Sequence, residues 1–322
     1  MKRYDVFNGD ADGLCALHQW RLAHPASATL VTGTKRDNAL LARVPAQAGD
    51  EVTALDLALP GNRAALVALL ARGVRVRYVD HHEPGEIPEH PLLDALIDCD
   101  RAVCTSILVD RMLGGAQRAW AVVGAFGDNL HASAQRLAAA MSLPPATIER
   151  WRALGECLNY NAYGLREEDL VYHPAELYRA LAPCATPDAF LDTRPHFNAL
   201  AAARTADLER AGAVAPRFGT PGATLHVLPD ARWAHRVFGS FANHLAAEDP
   251  QRAHAVATTQ PDGTLCLSLR VPPGAGPSAH DLVAPFGGGG RRGAAGVDRL
   301  PANRLDELIG ALATAFGAPA HG

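Results

Sequence analysis

The chain has 322 residues, 48% of them hydrophobic and 20% charged, with a net charge of −4. That is long enough for two cores and too apolar for a disordered chain, and the charge excludes a general attraction to long polyanions. The apolar stretches 64–71 and 119–126 are far shorter than the ~20 residues a bilayer helix needs, and the N-terminus lacks the apolar run of a secretory signal. Cysteines 15, 99, 104, 157, 184 and 266 form no CxxC pair. They read as reduced, mostly buried thiols of a cytoplasmic protein rather than a zinc or disulfide frame.

In chain order, hydrophobic periodicity predicts a strand over 4–8, a helix over 14–24, strands over 28–32 and 51–56, a helix over 62–72 and a strand over 74–79. This is the βαβ grammar of a mostly parallel sheet. A further strand is read at 94–98, helices at 102–113 and 118–126, and a helical extension from about 133 to 183. The proline-bearing stretch 184–195, an Ala-rich helix over 199–212 and the Pro/Gly cluster through 222 lead to a linker reading. A second unit follows, with strand 224–228, helix 234–247, strands 253–259 and 264–271 paired around Pro261-Asp262-Gly263, a helix at 278–284, a glycine-rich turn, a strand at 296–300 and a last helix over 304–316. The fold class is therefore α/β. Residues 1–195 form a mostly parallel-sheet domain with a helical extension, 196–222 a linker helix and loop, and 223–322 a smaller α/β domain.

Chemistry-bearing residues concentrate in Asn8-Gly9-Asp10-Ala11-Asp12-Gly13, Leu55-Asp56-Leu57, Asp80-His81-His82 and Gly127-Asp128-Asn129. All four segments are read as following strand ends, so a parallel sheet projects them from its carboxyl edge, where open α/β sheets bind ligands. Asp10 and Asp12 repel each other unless a cation lies between them; hard oxygens select Mg²⁺ or Mn²⁺, and an imidazole at His81 shifts the preference toward Mn²⁺. Asp56 can bridge two ions ~3.5–4 Å apart. Taken alone, the Asp10/Asp12 pair also fits a solvated turn or a helix cap, whereas two histidines crowded beside an acid at a strand end have no such plain reading. Gly287-Gly288-Gly289-Gly290 before Arg291-Arg292 predicts exposed amides in an anion nest with two charge-assisted donors, or else a flexible hairpin loop. Thr105-Ser106 fits a phosphate contact or an ordinary N-cap, His131 a member of the site or, by preference, a surface or capping residue, and Arg101 and Lys35-Arg36 the lining of a phosphate path or, by default, solvated charge.

On these residues the chain resembles the DHH phosphoesterase superfamily, over almost its whole length. The first motif is similar to the Asp-x-Asp-x-Asp-Gly form of RecJ-type nucleases, with Asn8 at the first acid position. Asp56, Asp80-His81-His82 and Asp128 match the second to fourth motifs, and the run from Gly287 to Gly296 is similar to the family's DHHA1 substrate-binding domain. The resemblance implies Asp10, Asp12, Asp56, His81 and Asp128 as ligands of two Mn²⁺ or Mg²⁺ ions. It further implies that His82 faces the scissile phosphate, that Asp80 orients the histidines, and that Gly288, Gly289, Gly290, Arg291 and Arg292 bind substrate. Val6 stands where many members have a histidine. Arg291 stands where the second domain commonly has another, and an arginine holds phosphate but cannot transfer a proton.

The implied activity is hydrolysis, by metal-activated water, of phosphodiester or phosphomonoester bonds in short oligonucleotides, dinucleotides or nucleoside bisphosphates. Polyphosphate or pyrophosphate hydrolysis is one alternative and a catalytically silent nucleotide sensor another. The implied partner is a small phosphorylated substrate or a short single-stranded nucleic acid, with no membrane contact and with room for a homodimer. Trp233, Phe238 and Phe286 near the glycine loop would favour a nucleotide by base stacking; a purely Arg-lined cleft would favour polyphosphate.

Overall fold

The structure, a computed structural model, describes residues 1–37, 39–274 and 276–317. It divides into two compact units, Met1–Ala202 and Ala203–Gly322. In the first, β1 (Arg3–Phe7), α1 (Ala11–Ala23), β2 (Thr29–Val31), β3 (Glu51–Leu55), α2 (Leu59–Ala71), β4 (Arg75–Asp80) and β5 (Leu93–Ile97) alternate along the chain. The strands lie in the order β2-β1-β3-β4-β5 with every pairing parallel. Because side chains alternate across a strand, Tyr4, Val6, Val52, Ala54, Val76 and Tyr78 pack on one face with Leu66, Leu69 and Leu70 of α2. Phe7, Leu55 and Val79 pack on the other face with Leu14 and Leu17 of α1.

That second core also takes in α3 (Thr105–Met112), α4 (Arg118–Gly127), α5 (His131–Ala140), α6 (Pro145–Ala162), α7 (Pro174–Leu181) and α8 (Pro187–Thr193). The stretch 184–195, read from the sequence as part of a linker region, is thus partly helical. The Ala189 amide donates to Thr186 Oγ1 at 3.2 Å, Pro187 fills the first helical position, and Phe190 is fully buried. Proline starts a helix here instead of ending one, since the N–H it lacks has no intrahelical partner at that position. The division between the units falls within α9 (His196–Gly212).

The second unit contains β6 (Phe218–Gly219), β7 (Ala223–Leu228), α10 (Arg232–Glu248), β8 (Ala253–Thr259), β9 (Leu265–Arg270), α11 (Ala279–Val283), β10 (Gly289–Gly290), β11 (Ala294–Leu300) and α12 (Leu305–Phe316). Its mixed sheet has the order β10-β11-β9-β8-β7-β6. β7 and β8 run parallel through the α10 crossover, and the other pairs are antiparallel. Leu225, Ala255, Leu267, Leu269 and Val283 meet Leu308 and Leu312 of α12 in a core of their own. The architecture is the expected α/β fold, a parallel-sheet unit followed by a second unit built on a mixed sheet. Among the described residues no helix is long and apolar enough to cross a membrane.

Candidate metal centre

Three of the four chemistry-bearing segments leave the carboxyl edge of the parallel sheet: Asp10 follows β1, Asp56 follows β3, and Asp80 ends β4. The fourth does not follow a strand, which corrects the sequence reading. Asp128 caps the C-terminus of α4, whose residues Trp120 to Gly127 are all buried, so the apolar run stays helical. Asn129, at φ 61°, then turns the chain away.

The Asp10/Asp12 pair satisfies both readings of its spacing. Asp10 is the N-cap of α1, its Oδ1 accepting the amides of Asp12 at 3.0 Å and Gly13 at 3.1 Å. Asp12 holds the start of α3: its Oδ2 accepts the Thr105 amide at 2.7 Å and its Oδ1 the Ser106 amide at 2.8 Å. An otherwise unsatisfied, positive helix N-terminus is a natural seat for a carboxylate. The Thr105 hydroxyl donates to Asp56 Oδ1 at 3.1 Å, so Thr105 and Ser106 serve the acids of the cluster. Asp56 sits at φ 59°, a left-handed backbone that costs a non-glycine residue and aims its carboxyl inward.

These acids converge on one imidazole. His81 Nε2 lies 3.5 Å from Asp56 Oδ1, 3.8 Å from Asp128 Oδ2 and 3.9 Å from Asp12 Oδ2. Two ligands ~2.1 Å from a Mg²⁺-sized ion stand about 3.0 Å apart at right angles and about 4.2 Å apart when opposite, and the observed separations fall between those limits. Ligand atoms of Asp56, His81 and His82 also lie within 4.8 Å of one another. The His82 ring, 4.4 Å from that of His81, pairs through Nδ1 with Asp80 Oδ1 at 2.8 Å and is 44% exposed at the mouth of the cluster. Asp80 is fully buried, and its Oδ2 has no hydrogen-bond partner among the described residues.

The electrostatics are those of crowded acids short of positive charge. Burial, then the charges of Asp10 and Asp12, push the Asp56 carboxyl well above the usual range against the pull of His81. Burial also raises Asp128, against Lys35. Burial works against a charged His81, but hydrogen bonding to Asp56 and the charges of Asp56, Asp12 and Asp128 outweigh it and carry the imidazole up to about 10. Desolvation opposes the charge on His82 too, and Asp80 overcomes it and raises the ring. A cluster whose burial and mutual repulsion push its carboxyls upward matches a divalent cation in both charge and donor type.

One member of the cluster escapes the sequence reading. Lys35 is not solvated charge. Its ammonium donates to Asp10 Oδ2, stands 3.3 Å from Asn159 Oδ1 and 3.6 Å from Asp128 Oδ1, and lies 5.7 Å from the centre of the Tyr163 ring. Burial opposes its charge, but Asp10 and Asp128 hold it protonated well above the usual lysine range. Burial also opposes ionisation of Asp10; Lys35, through charge and hydrogen bond, and the Gly13 amide prevail and keep that carboxyl below its usual value. No motif signals such a lysine, because it comes from a loop more than 20 residues past the first acids in a Lys-Arg pair that looks like surface.

The glycine run of the second unit is more committed than an open nest. The Gly287 amide donates to Ala284 O and that of Gly288 to Val283 O, both at 3.0 Å, and Arg291 N donates to Ala294 O at 2.8 Å. Gly289 and Gly290 pair with β11 as strand β10. The side chains of Arg291 and Arg292 project from exposed positions. Phe238 and Phe286 are buried in the unit's interior, Phe286 beneath the Arg304 guanidinium at 4.5 Å, so neither offers a face to a base. Trp233 is half-buried. Elsewhere in the first unit, a cavity of about 590 Å³ is lined by Arg3, Arg21, Arg75 and Arg77. Each of those guanidiniums is ion-paired, Arg3 and Arg75 sharing Glu51, Arg21 with Asp5 and Arg77 with Asp94.

Neither a family model nor a curated protein matches the sequence. Solved structures do. The chain is similar to RecJ in complex with Mn²⁺ from Thermus thermophilus, at 18% identity and a TM-score of 0.65, over 99% of this chain and 52% of that one. It thus spans about half the length of that RecJ. The DHH domain of a member of a ribosomal-protein family matches at 13% identity and a TM-score of 0.62, over 97% of this chain and 86% of that one. A pGpG-specific phosphodiesterase from Vibrio cholerae matches at 15% identity and a TM-score of 0.54, over 98% of each chain. With a five-stranded parallel sheet, a mixed-sheet second unit and three of the four acid and histidine segments at the sheet's carboxyl edge, the chain shares the fold of these RecJ and DHH-domain structures.

Proposed function

We propose that the protein is a divalent-metal-dependent phosphoesterase acting on short phosphorylated substrates: short oligonucleotides, linear dinucleotides or nucleoside bisphosphates. The observation that carries this reading is the convergence of Asp12, Asp56 and Asp128 on His81 Nε2 within 3.9 Å. Those residues would hold the metal. Bound there, a Mn²⁺ or Mg²⁺ ion would polarise a phosphoryl oxygen and lower the pKa of a coordinated water. Asp80 holds the half-exposed His82 ring through Nδ1, and the ring's other nitrogen, when protonated, would donate to the charge that builds on a phosphate in transfer. Thr105 steadies Asp56, and Arg291 and Arg292 supply charge-assisted donors for a phosphate. The likeness to a RecJ structure with Mn²⁺ and to a pGpG phosphodiesterase supports the metal and the substrate class.

Burial of Phe238 and Phe286 removes two of the three stacking aromatics and favours a second reading, hydrolysis of polyphosphate or pyrophosphate. A hydrolysis panel in Mn²⁺ separates the two, with short RNA, linear dinucleotides, a nucleoside bisphosphate and polyphosphate assayed beside Asp56→Ala and His81→Ala. Turnover of a nucleotide compound that both substitutions abolish supports the first reading. Turnover confined to polyphosphate supports the second, and background equal to that of the variants on every compound rejects enzymatic function.

A further inference from the structure

We propose that Lys35 is a built-in cation that takes one of the two positive positions of the carboxylate cluster, so that the centre takes up a single divalent ion per chain. This inference rests on the metal-dependent reading above. Lys35 is anchored at both ends. Its amide donates to Ala162 O at 2.8 Å, its carbonyl accepts Asn8 Nδ2 at 3.4 Å, and its ammonium is tied to Asp10, Asn159 and Asp128. It therefore occupies the space between Asp10 Oδ2 and Asp128 Oδ1 where an ion shared by those acids would sit.

The same pole of the cluster is poor in free donors. Asp10 Oδ1 is spent on the start of α1, Asn8 Oδ1 on the Asp10 amide at 3.2 Å, and Val6 is fully buried among apolar side chains. The opposite pole brings together more ligand atoms, although there too Asp12 Oδ2 and Asp56 Oδ1 accept hydrogen bonds from Thr105. His81 Nε2 there stands within 3.9 Å of Asp56 Oδ1, Asp128 Oδ2 and Asp12 Oδ2. The four acids and the ammonium sum to −1 with one divalent ion and +1 with two, so the argument is one of space: a second ion would need the seat that the ammonium holds between Asp10 and Asp128. Asp128 belongs to both poles, one oxygen near Lys35 and the other near His81, so the lysine also fixes the carboxylate that the remaining ion would use.

The test is a metal count that needs no turnover. Metal-stripped protein is dialysed to equilibrium against Mn²⁺ and analysed for bound metal, with electron paramagnetic resonance to separate isolated from exchange-coupled ions. Wild type and Lys35→Arg are expected to hold one isolated ion per chain, and Lys35→Met, which keeps the stem and loses the charge, two coupled ions. Two ions in wild type overturn the inference and leave the phosphoesterase reading standing. No ion in wild type overturns both. One ion in wild type and in Lys35→Met alike removes the lysine from the explanation.

A second measurement on wild type alone keeps the proposal falsifiable where Lys35→Met does not fold. Lys2 and Lys35 are the chain's two lysines, so amine labelling read by mass spectrometry reports on Lys35 with Lys2 as the internal reference. Saturating Mn²⁺ is expected to leave the Lys35 labelling rate unchanged. A rise of several-fold would mean that the metal displaces the ammonium and would sink the proposal.

Discussion

His18 shows how a single buried side chain couples this fold to pH. It lies in α1 with Nε2 2.8 Å from Cys184 O and its ring edge-on to Trp120, centroids 4.6 Å apart. Burial lowers its pKa from 6.5 to about 4, partly offset by the Cys184 carbonyl. The folded state thus keeps the ring neutral where the unfolded chain takes a proton. Stability is fully present above 6.5 and is lost as pH falls through 6.5 to about 4. A difference of that size is worth roughly 3 kcal/mol. His18→Gln keeps a donor for Cys184 O and removes the titration, so it is expected to flatten the acid limb of urea-unfolding stability by about that amount; an unchanged limb would refute the assignment. Other residues differed in how much of their role the sequence exposed. Asp10, Asp12, Asp56, Asp80, His81 and His82 were legible because acids and imidazoles at strand ends carry a chemical signature. Lys35 was not, because a lysine reveals a buried partner only once the chain has folded around it. Phe238 and Phe286 would favour a nucleotide only with a face open beside the glycine loop, and both are buried instead.

At the scale of elements, the position of Asp128 depends on how closely three helices pack. Gly127, the last residue of α4, faces Ala11 of α1 and Gly155 of α6, and an added methyl there would stand 2.8 Å from the Gly155 carbonyl oxygen and against the Ala11 methyl. Backbone and helix start cannot yield as a flexible side chain would. Gly127→Ala is therefore expected to cost about 1–3 kcal/mol in chemical denaturation and to weaken Mn²⁺ affinity by shifting the adjacent Asp128. Full stability together with native affinity would show that the helices have slack. The long alternating strands and amphipathic helices were readable because their periods extend over many residues. β6, of two residues, and α8, of seven, were not, because short elements carry too little pattern and owe their form to a cap, a proline and one buried ring. Asp128 shows the converse: the run over 118–126 reads as a helix and is one, so the acid after it caps a helix instead of following a strand.

At the scale of the whole molecule, all five residues expected to hold metal, and Lys35 with them, lie in Met1–Ala202, which has hydrophobic cores of its own. Arg291 and Arg292 lie in Ala203–Gly322. A fragment of residues 1–202 is expected to unfold cooperatively and to bind Mn²⁺ in calorimetry with an affinity within several-fold of the intact chain. Failure of that fragment to bind would show that the metal position needs residues beyond 202. The left-handed backbone at Asp56 carries a consequence for evolution in the laboratory. Glycine adopts that conformation without penalty, so a population selected for heat endurance alone should drift toward glycine at position 56, gaining degrees of melting temperature while surrendering the carboxylate; persistence of aspartate there marks selection by chemistry against the grain of the backbone.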